Sequence, residues 1–105
     1  MAELTLLLRR AKRNNETKID LSAREISFIP NDIYSLAKVE ILDLSNNRIT
    51  SLDEKINQLA NLKVLDLSGN SIMDLPKQIL DLPNLQVLHD IILRLSTWKE
   101  SSAII

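Results

Sequence analysis

Val39-Glu40-Ile41-Leu42-Asp43-Leu44-Ser45-Asn46-Asn47 returns 23 residues later as Leu62-Lys63-Val64-Leu65-Asp66-Leu67-Ser68-Gly69-Asn70. The residues C-terminal to each phrase return as well: Ile49, Leu52, Ile56 and Leu59 are matched by Ile72, Leu75, Ile79 and Leu82. Repetition at such a period marks a solenoid, because one unit cannot bury its apolar face alone and neighbours must stack to do so. Within each phrase the leucines alternate with Ile41, Asp43 and Ser45, or with Val64, Asp66 and Ser68. That is the period of a short strand with one buried face. Asn46-Asn47 and Gly69-Asn70 then turn the chain. Ile72, Leu75, Ile79 and Leu82 re-enter the core along the returning segment. There Pro76 suits the first turn of a short helix, and Asp53, one unit earlier, suits a helix start.

The pattern extends backwards by one degenerate unit. Ile19, Leu21, Ile26, Ile29, Pro30, Ile33 and Leu36 hold the same slots, but Glu16 replaces the leading apolar residue and Arg24 the turn asparagine. Forwards, Leu85 and Leu88 fit, then Asp90 and Leu93 break the series. The reading is one domain over 1–105. Residues 1–15 form an N-terminal capping helix, 16–88 about three repeats plus a partial fourth, and 89–105 an irregular C-terminal cap or tail. In the first helix Leu4, Leu7, Leu8 and Ala11 share a face, with Arg9, Arg10, Lys12 and Arg13 largely elsewhere, either as the solvated side of a cap or as a nuclear-import signal or anionic-surface contact. At the far end Asp90 could N-cap a helix carrying Ile91, Leu95 and Trp98 in a stripe.

These residues make the chain resemble the leucine-rich repeat family over roughly residues 16–90. The unit length and the segment Leu75, Pro76, Ile79, Leu82, Asn84, Leu85 look most like the intracellular Ras-group type, which includes the Ras suppressor proteins and short cytosolic adaptors. The resemblance implies an α/β fold: a short right-handed solenoid with parallel strands on the concave face and short helices on the convex face. It also implies that Asn47 and Asn70 form a ladder of side chains bonded to the backbone of adjacent turns. A buried asparagine must satisfy its amide, and exact recurrence fits that role.

Composition agrees. Leu (20) and Ile (13) dominate while aromatics number three, which suits aliphatic side chains stacked in layers. The net charge of −1 gives no global field to draw nucleic acid, and no aromatic residue interleaves the basic cluster Arg9–Arg13. No cysteine is present. Secreted members of the family usually close their ends with disulfides, so the resemblance points to the cytoplasm, where the sequon Asn15-Glu16-Thr17 would stay unmodified. No apolar run approaches a membrane span. One histidine, one glycine and no cysteine leave no nucleophile elbow or phosphate-cradling loop, so neither an enzyme nor a cofactor is expected. Asp43, Asp66 and His89 form a line, but flat strand positions do not wrap an ion, so no metal site is expected either.

Strand alternation places candidate partner-binding residues on the concave face. One row holds Lys18, Ile41, Val64 and Val87. The next holds Asp20, Asp43, Asp66 and His89. A third holds Ser22, Ser45, Ser68 and Ile91. Asn46, Arg48 and Ser71 line the rim. Stacked carboxylates repel one another, so the aspartates should favour a basic partner and be dispensable for folding. The function expected is a non-catalytic protein-binding adaptor, with small-GTPase signalling implied by resemblance alone. The alternative is an assembly element, or a fragment of a longer repeat protein, that self-associates as a weak homodimer through its open C-terminal end.

Overall fold

The computed structural model describes residues 2–72 and 75–89. The expected C-terminal helix from Asp90, with Ile91, Leu95 and Trp98, and the homodimer contact beyond it lie outside the described residues. Helix α1 (Ala2–Arg13) precedes strands β1 (Lys18–Asp20), β2 (Ile41–Asp43), β3 (Val64–Asp66) and β4 (Val87–His89), and a 3-10 helix follows each of the first three strands (Asn31–Ser35, Glu54–Gln58, Lys77–Asp81). The four strands form one parallel sheet in chain order. Their register repeats the sequence period: Leu42 pairs with Ile19 and with Leu65, which pairs with Leu88. Because the side-chain period is two, this register holds Ile19, Leu42 and Leu65 together on the inner face.

The core is one continuous aliphatic stack. Ile19, Leu21, Leu42, Leu44, Leu65 and Leu67 from the strand side meet Ile33, Leu36, Ile56, Leu59, Ile79 and Leu82 from the return side, all buried. The return segments are 3-10 rather than α-helical for a reason visible in their spacing. Each carries its two core residues three apart, and three residues per turn superimposes them. The bonds follow suit, from Ile33, Ile56 and Ile79 N–H back to Pro30, Asp53 and Pro76 carbonyls at 3.1 Å each. Pro76 therefore sits at the N-cap with extended backbone, not in the first turn, as does Pro30. Asp53 in the same slot accepts a hydrogen bond from Lys55 N–H at 2.8 Å, a cap no proline can make.

Left-handed residues recur with the repeat. Ala23, Asn46 and Gly69 stand one period apart with φ of 54°, 57° and 73°. At Gly69 a Cβ would also collide with the Asn46 side chain, so this turn needs glycine for space as well as for φ.

Helix α1 lies across the first coil, its start beside Arg24–Ile26 and its end beside Ser35–Lys38. Leu4, Leu8 and Ala11 are buried in the common core and Leu7 packs partly against it. The helix stops in a Schellman motif. Asn15 takes φ 53°, its N–H donates to Lys12 O at 3.2 Å, and Glu16 N–H donates to Ala11 O at 3.0 Å.

Tyr34 is the buried aromatic of the described core. Burial, reinforced by the nearby Asp53 carboxylate, pushes its phenol from 10.0 up to about 12, against the pull of a backbone hydrogen bond from Asp53. A folded pKa above the unfolded one stabilises the fold fully below pH 10.0, and that contribution is lost as pH rises from there through about 12. Tyr34→Phe is expected to flatten the alkaline loss of stability in that window, read from urea unfolding midpoints. An unchanged slope would mean the phenol is open to water.

Candidate functional site

The turn that ends each strand decides what the concave face offers. In each of the first three units the aspartate folds back on the serine two residues on. Oδ1 of Asp20, Asp43 and Asp66 accepts the serine N–H at 3.0, 2.9 and 3.0 Å and the serine hydroxyl at 2.6 Å each. This turn replaces the next ladder bond and accounts for strands only three residues long. Ser45 is consequently buried at 7% exposure, and Ser22 and Ser68 are half-buried. The serine row is thus a set of hydrogen-bond donors to the aspartates. Asp20, on the outermost coil, has its carboxyl held below the usual range, first by the Ser22 hydroxyl and then by the Ser22 N–H.

The expectation that Asp43 and Asp66 are dispensable for folding is corrected by this turn. Asp43→Ala or Asp66→Ala should each cost roughly 1–2 kcal/mol, because a serine N–H beside the core loses its acceptor. Asparagine keeps Oδ1, so Asp43→Asn and Asp66→Asn should cost less than half as much in chemical denaturation. Equal losses for Ala and Asn would mean that charge, not the turn bond, is what matters.

What remains outward is a column of carboxylates beside an aliphatic one. Backbone register stacks Asp20, Asp43, Asp66 and His89, and next to them Lys18, Ile41, Val64 and Val87. Ile41, Val64, Asp43 and Asp66 are half-buried; Lys18 and Asp20 are exposed. Asn46 is exposed on the rim, its N–H bonded to Ser68 O at 2.7 Å. Arg48 is exposed too, and its guanidinium meets Glu25 at 3.0 Å. Both sit around the turn, outside the two strand rows. Pairs this exposed contribute little to stability, so Arg48 can be recruited by a partner at small cost.

Asn47 and Asn70 stitch the coils together. Asn47 Oδ1 accepts from Arg24 and Ile26 N–H at 2.9 and 3.0 Å, while its Nδ2 donates to the carbonyls of Leu21, Leu44 and Ser45 at 3.0, 2.9 and 3.2 Å. Asn70 accepts from Ile49 N–H at 3.0 Å and donates to Leu44, Leu67 and Ser68 carbonyls at 2.8, 3.0 and 3.3 Å. A second asparagine series, not expected from the sequence, lies where the return segment rejoins the strand. Asn61 and Asn84 donate to Ala37 and Ala60 carbonyls at 2.7 and 3.1 Å. The signal was available: both asparagines precede a repeated leucine, one period apart.

Among the described residues no group of three or more histidine, cysteine or acidic side chains is placed to hold a metal ion. No helix among them is long and apolar enough to cross a membrane.

Comparison with known proteins points one way. No curated protein matches the sequence. The leucine-rich repeat domain of APL1B superposes with a TM-score of 0.64 at 22% identity, covering 81% of this chain and 27% of that one. A Leptospira interrogans leucine-rich repeat protein superposes with a TM-score of 0.60 at 30% identity, covering 78% of this chain and 27% of its own. The chain thus spans about a quarter of the length of either structure. A sequence model described as leucine rich repeat matches residues 37–89, half of the chain. With the stacked coils and the asparagine series in place, that match decides the matter: the chain belongs to the leucine-rich repeat family.

Proposed function

We propose that this chain is a non-catalytic binding module that takes a protein segment bearing lysine or arginine beside apolar residues along its concave face. The observation that carries this is the pair of columns, Asp20-Asp43-Asp66 beside Ile41-Val64, held in register by the sheet. Each aspartate commits one oxygen to its own turn and keeps the other for a partner. Carboxylates stacked about 4.8 Å apart repel, and a cation laid along them relieves the repulsion. The half-buried Ile41 and Val64 add surface that gains from losing water.

Four strands span roughly 15 Å, so the sheet face offers a few hundred Å² against about 800 Å² per partner in a stable complex. The rim residues Asn46 and Arg48 must therefore join in, and the face alone binds weakly. Likeness to the Ras-group type, with its cytosolic adaptors, makes a cytoplasmic adaptor in small-GTPase signalling the setting we favour. The test is selection from a displayed peptide library. Peptides rich in basic and aliphatic residues should be enriched by the native chain, and D43N/D66N, which keeps the turn bonds, should lose them. Enrichment without basic residues, or undiminished in D43N/D66N, would sink the reading.

A further inference from the structure

Helix α1 has two faces, and the concave site uses neither. Its apolar face is spent: Leu4, Leu8 and Ala11 close the end of the core. The opposite face carries Leu6, 60% exposed, with Arg9, Arg10 and Arg13 at three, four and seven residues along. Those offsets put all four on one side of a helix. The arginines are exposed, and none has an acidic partner within salt-bridge distance among the described residues. Cations in the last turn favour a helix end, which accounts for Arg10, Lys12 and Arg13. It does not account for Arg9, or for a leucine left in water at the N-terminal edge of the cationic patch.

We infer that the outward face of α1 is a docking surface for an anionic phospholipid membrane, with Leu6 entering between headgroups and Arg9, Arg10 and Arg13 pairing with lipid phosphates and carboxylates. Charge complementarity chooses the lipid class: residues 1–18 carry five basic and two acidic groups, a net +3, while the rest of the chain is net −4. Shape chooses a plane over a protein segment. The outward face of a helix is convex, and the clefts described at its two ends are lined by Glu3 and Leu4 and by Ala11 and Lys12 rather than by Leu6 or the arginines. A convex face meets a flat surface and offers no groove for a peptide. Nucleic acid would gain from aromatic stacking, which the helix cannot supply. Because α1 covers the first coil, a bilayer bound there meets the solenoid end-on and leaves the acidic strip free.

The test is sedimentation of the full chain with phosphatidylcholine vesicles, alone or with about a third phosphatidylserine. Binding is expected to the serine-containing vesicles only, weakening steeply with salt. Each arginine strengthens binding by about fivefold, so R9Q/R10Q/R13Q should lower the partition coefficient by roughly a hundredfold. Leu6→Ser should lower it several-fold and leave the salt dependence unchanged. Circular dichroism identical to the native chain shows that these surface changes leave the fold intact. D43N/D66N should bind vesicles normally, which separates this surface from the concave one. Equal binding to both vesicle types, or binding untouched by the triple change, overturns the inference. So does an acidic peptide or oligonucleotide that binds more tightly than the vesicles and ignores Leu6→Ser.

Discussion

Leu65→Ala lowers the free energy of unfolding by roughly 2–5 kcal/mol, toward the upper end of that range. Leu65 has 0% exposure and sits at the middle of β3, between Leu42 and Leu88 in register. Truncation removes the transfer energy of the lost carbons and leaves a cavity. The cavity cannot close easily, because coils on either side fix the spacing of the sheet and the return segments are themselves locked by 3-10 bonds. Val64→Ala, one residue away but half-buried on the concave face, should cost far less. Urea denaturation of the two variants makes the comparison. A small loss for Leu65, or similar losses for both, would mean that the leucines do not form the shared interior on which every other assignment rests.

Asn47→Ala is the second large loss, at about 3 kcal/mol. Its amide makes five hydrogen bonds, two accepted and three donated, with the backbone of its own and the preceding coil. Alanine strands the N–H groups of Arg24 and Ile26 and the carbonyl of Leu21, whereas the Leu44 and Ser45 carbonyls keep bonds from Asn70 Nδ2 and Ala23 N–H. Asn47 is only 7% exposed, so water hardly reaches the stranded groups. Asn70→Ala should cost about 1 kcal/mol less, since that side chain is half-buried and its orphaned partners can be hydrated. Asn47→Asp discriminates the mechanism. It keeps an acceptor but sets a charge against three carbonyls, so it should be at least as damaging at neutral pH and recover partly in acid, where a protonated aspartate donates again. Losses of equal size at 47 and 70 would argue that general packing, not the burial of the amide, sets the cost.

How much of this was legible beforehand depends on the kind of information each residue carries. The period of 23 located the buried leucines and isoleucines of the strands, because a repeat that fails to bury its apolar face in register cannot stack. The capping helix was legible for the same reason, from Leu4, Leu8 and Ala11. The aspartates show where such reading stops. Alternation says correctly that Asp43 and Asp66 face away from the core, and it says nothing about what their oxygens do. A serine two residues on offers an N–H and a hydroxyl within reach, and that local competition turns one carboxylate oxygen inward and buries Ser45. Asn61 and Asn84 escaped notice because an asparagine before a leucine is an ordinary surface residue unless the coil beneath presents a carbonyl. The same face, with Leu4, Leu8 and Ala11 turned inward, leaves Leu6 on the opposite side of the helix, and the docked helix shows it 60% exposed.

By itself the amino-acid order determined the architecture, since burial of a periodic aliphatic stripe has one economical solution: parallel coils in register. Only the tertiary structure decided which polar groups are committed and which are free. Hydrogen bonds across coils join residues 21 to 26 positions apart, as where Asn47 donates to the Leu21 carbonyl and accepts from Ile26 N–H. Whether a carboxylate, an amide or an arginine faces a partner or its own backbone is set by angstroms that spacing along the chain does not encode.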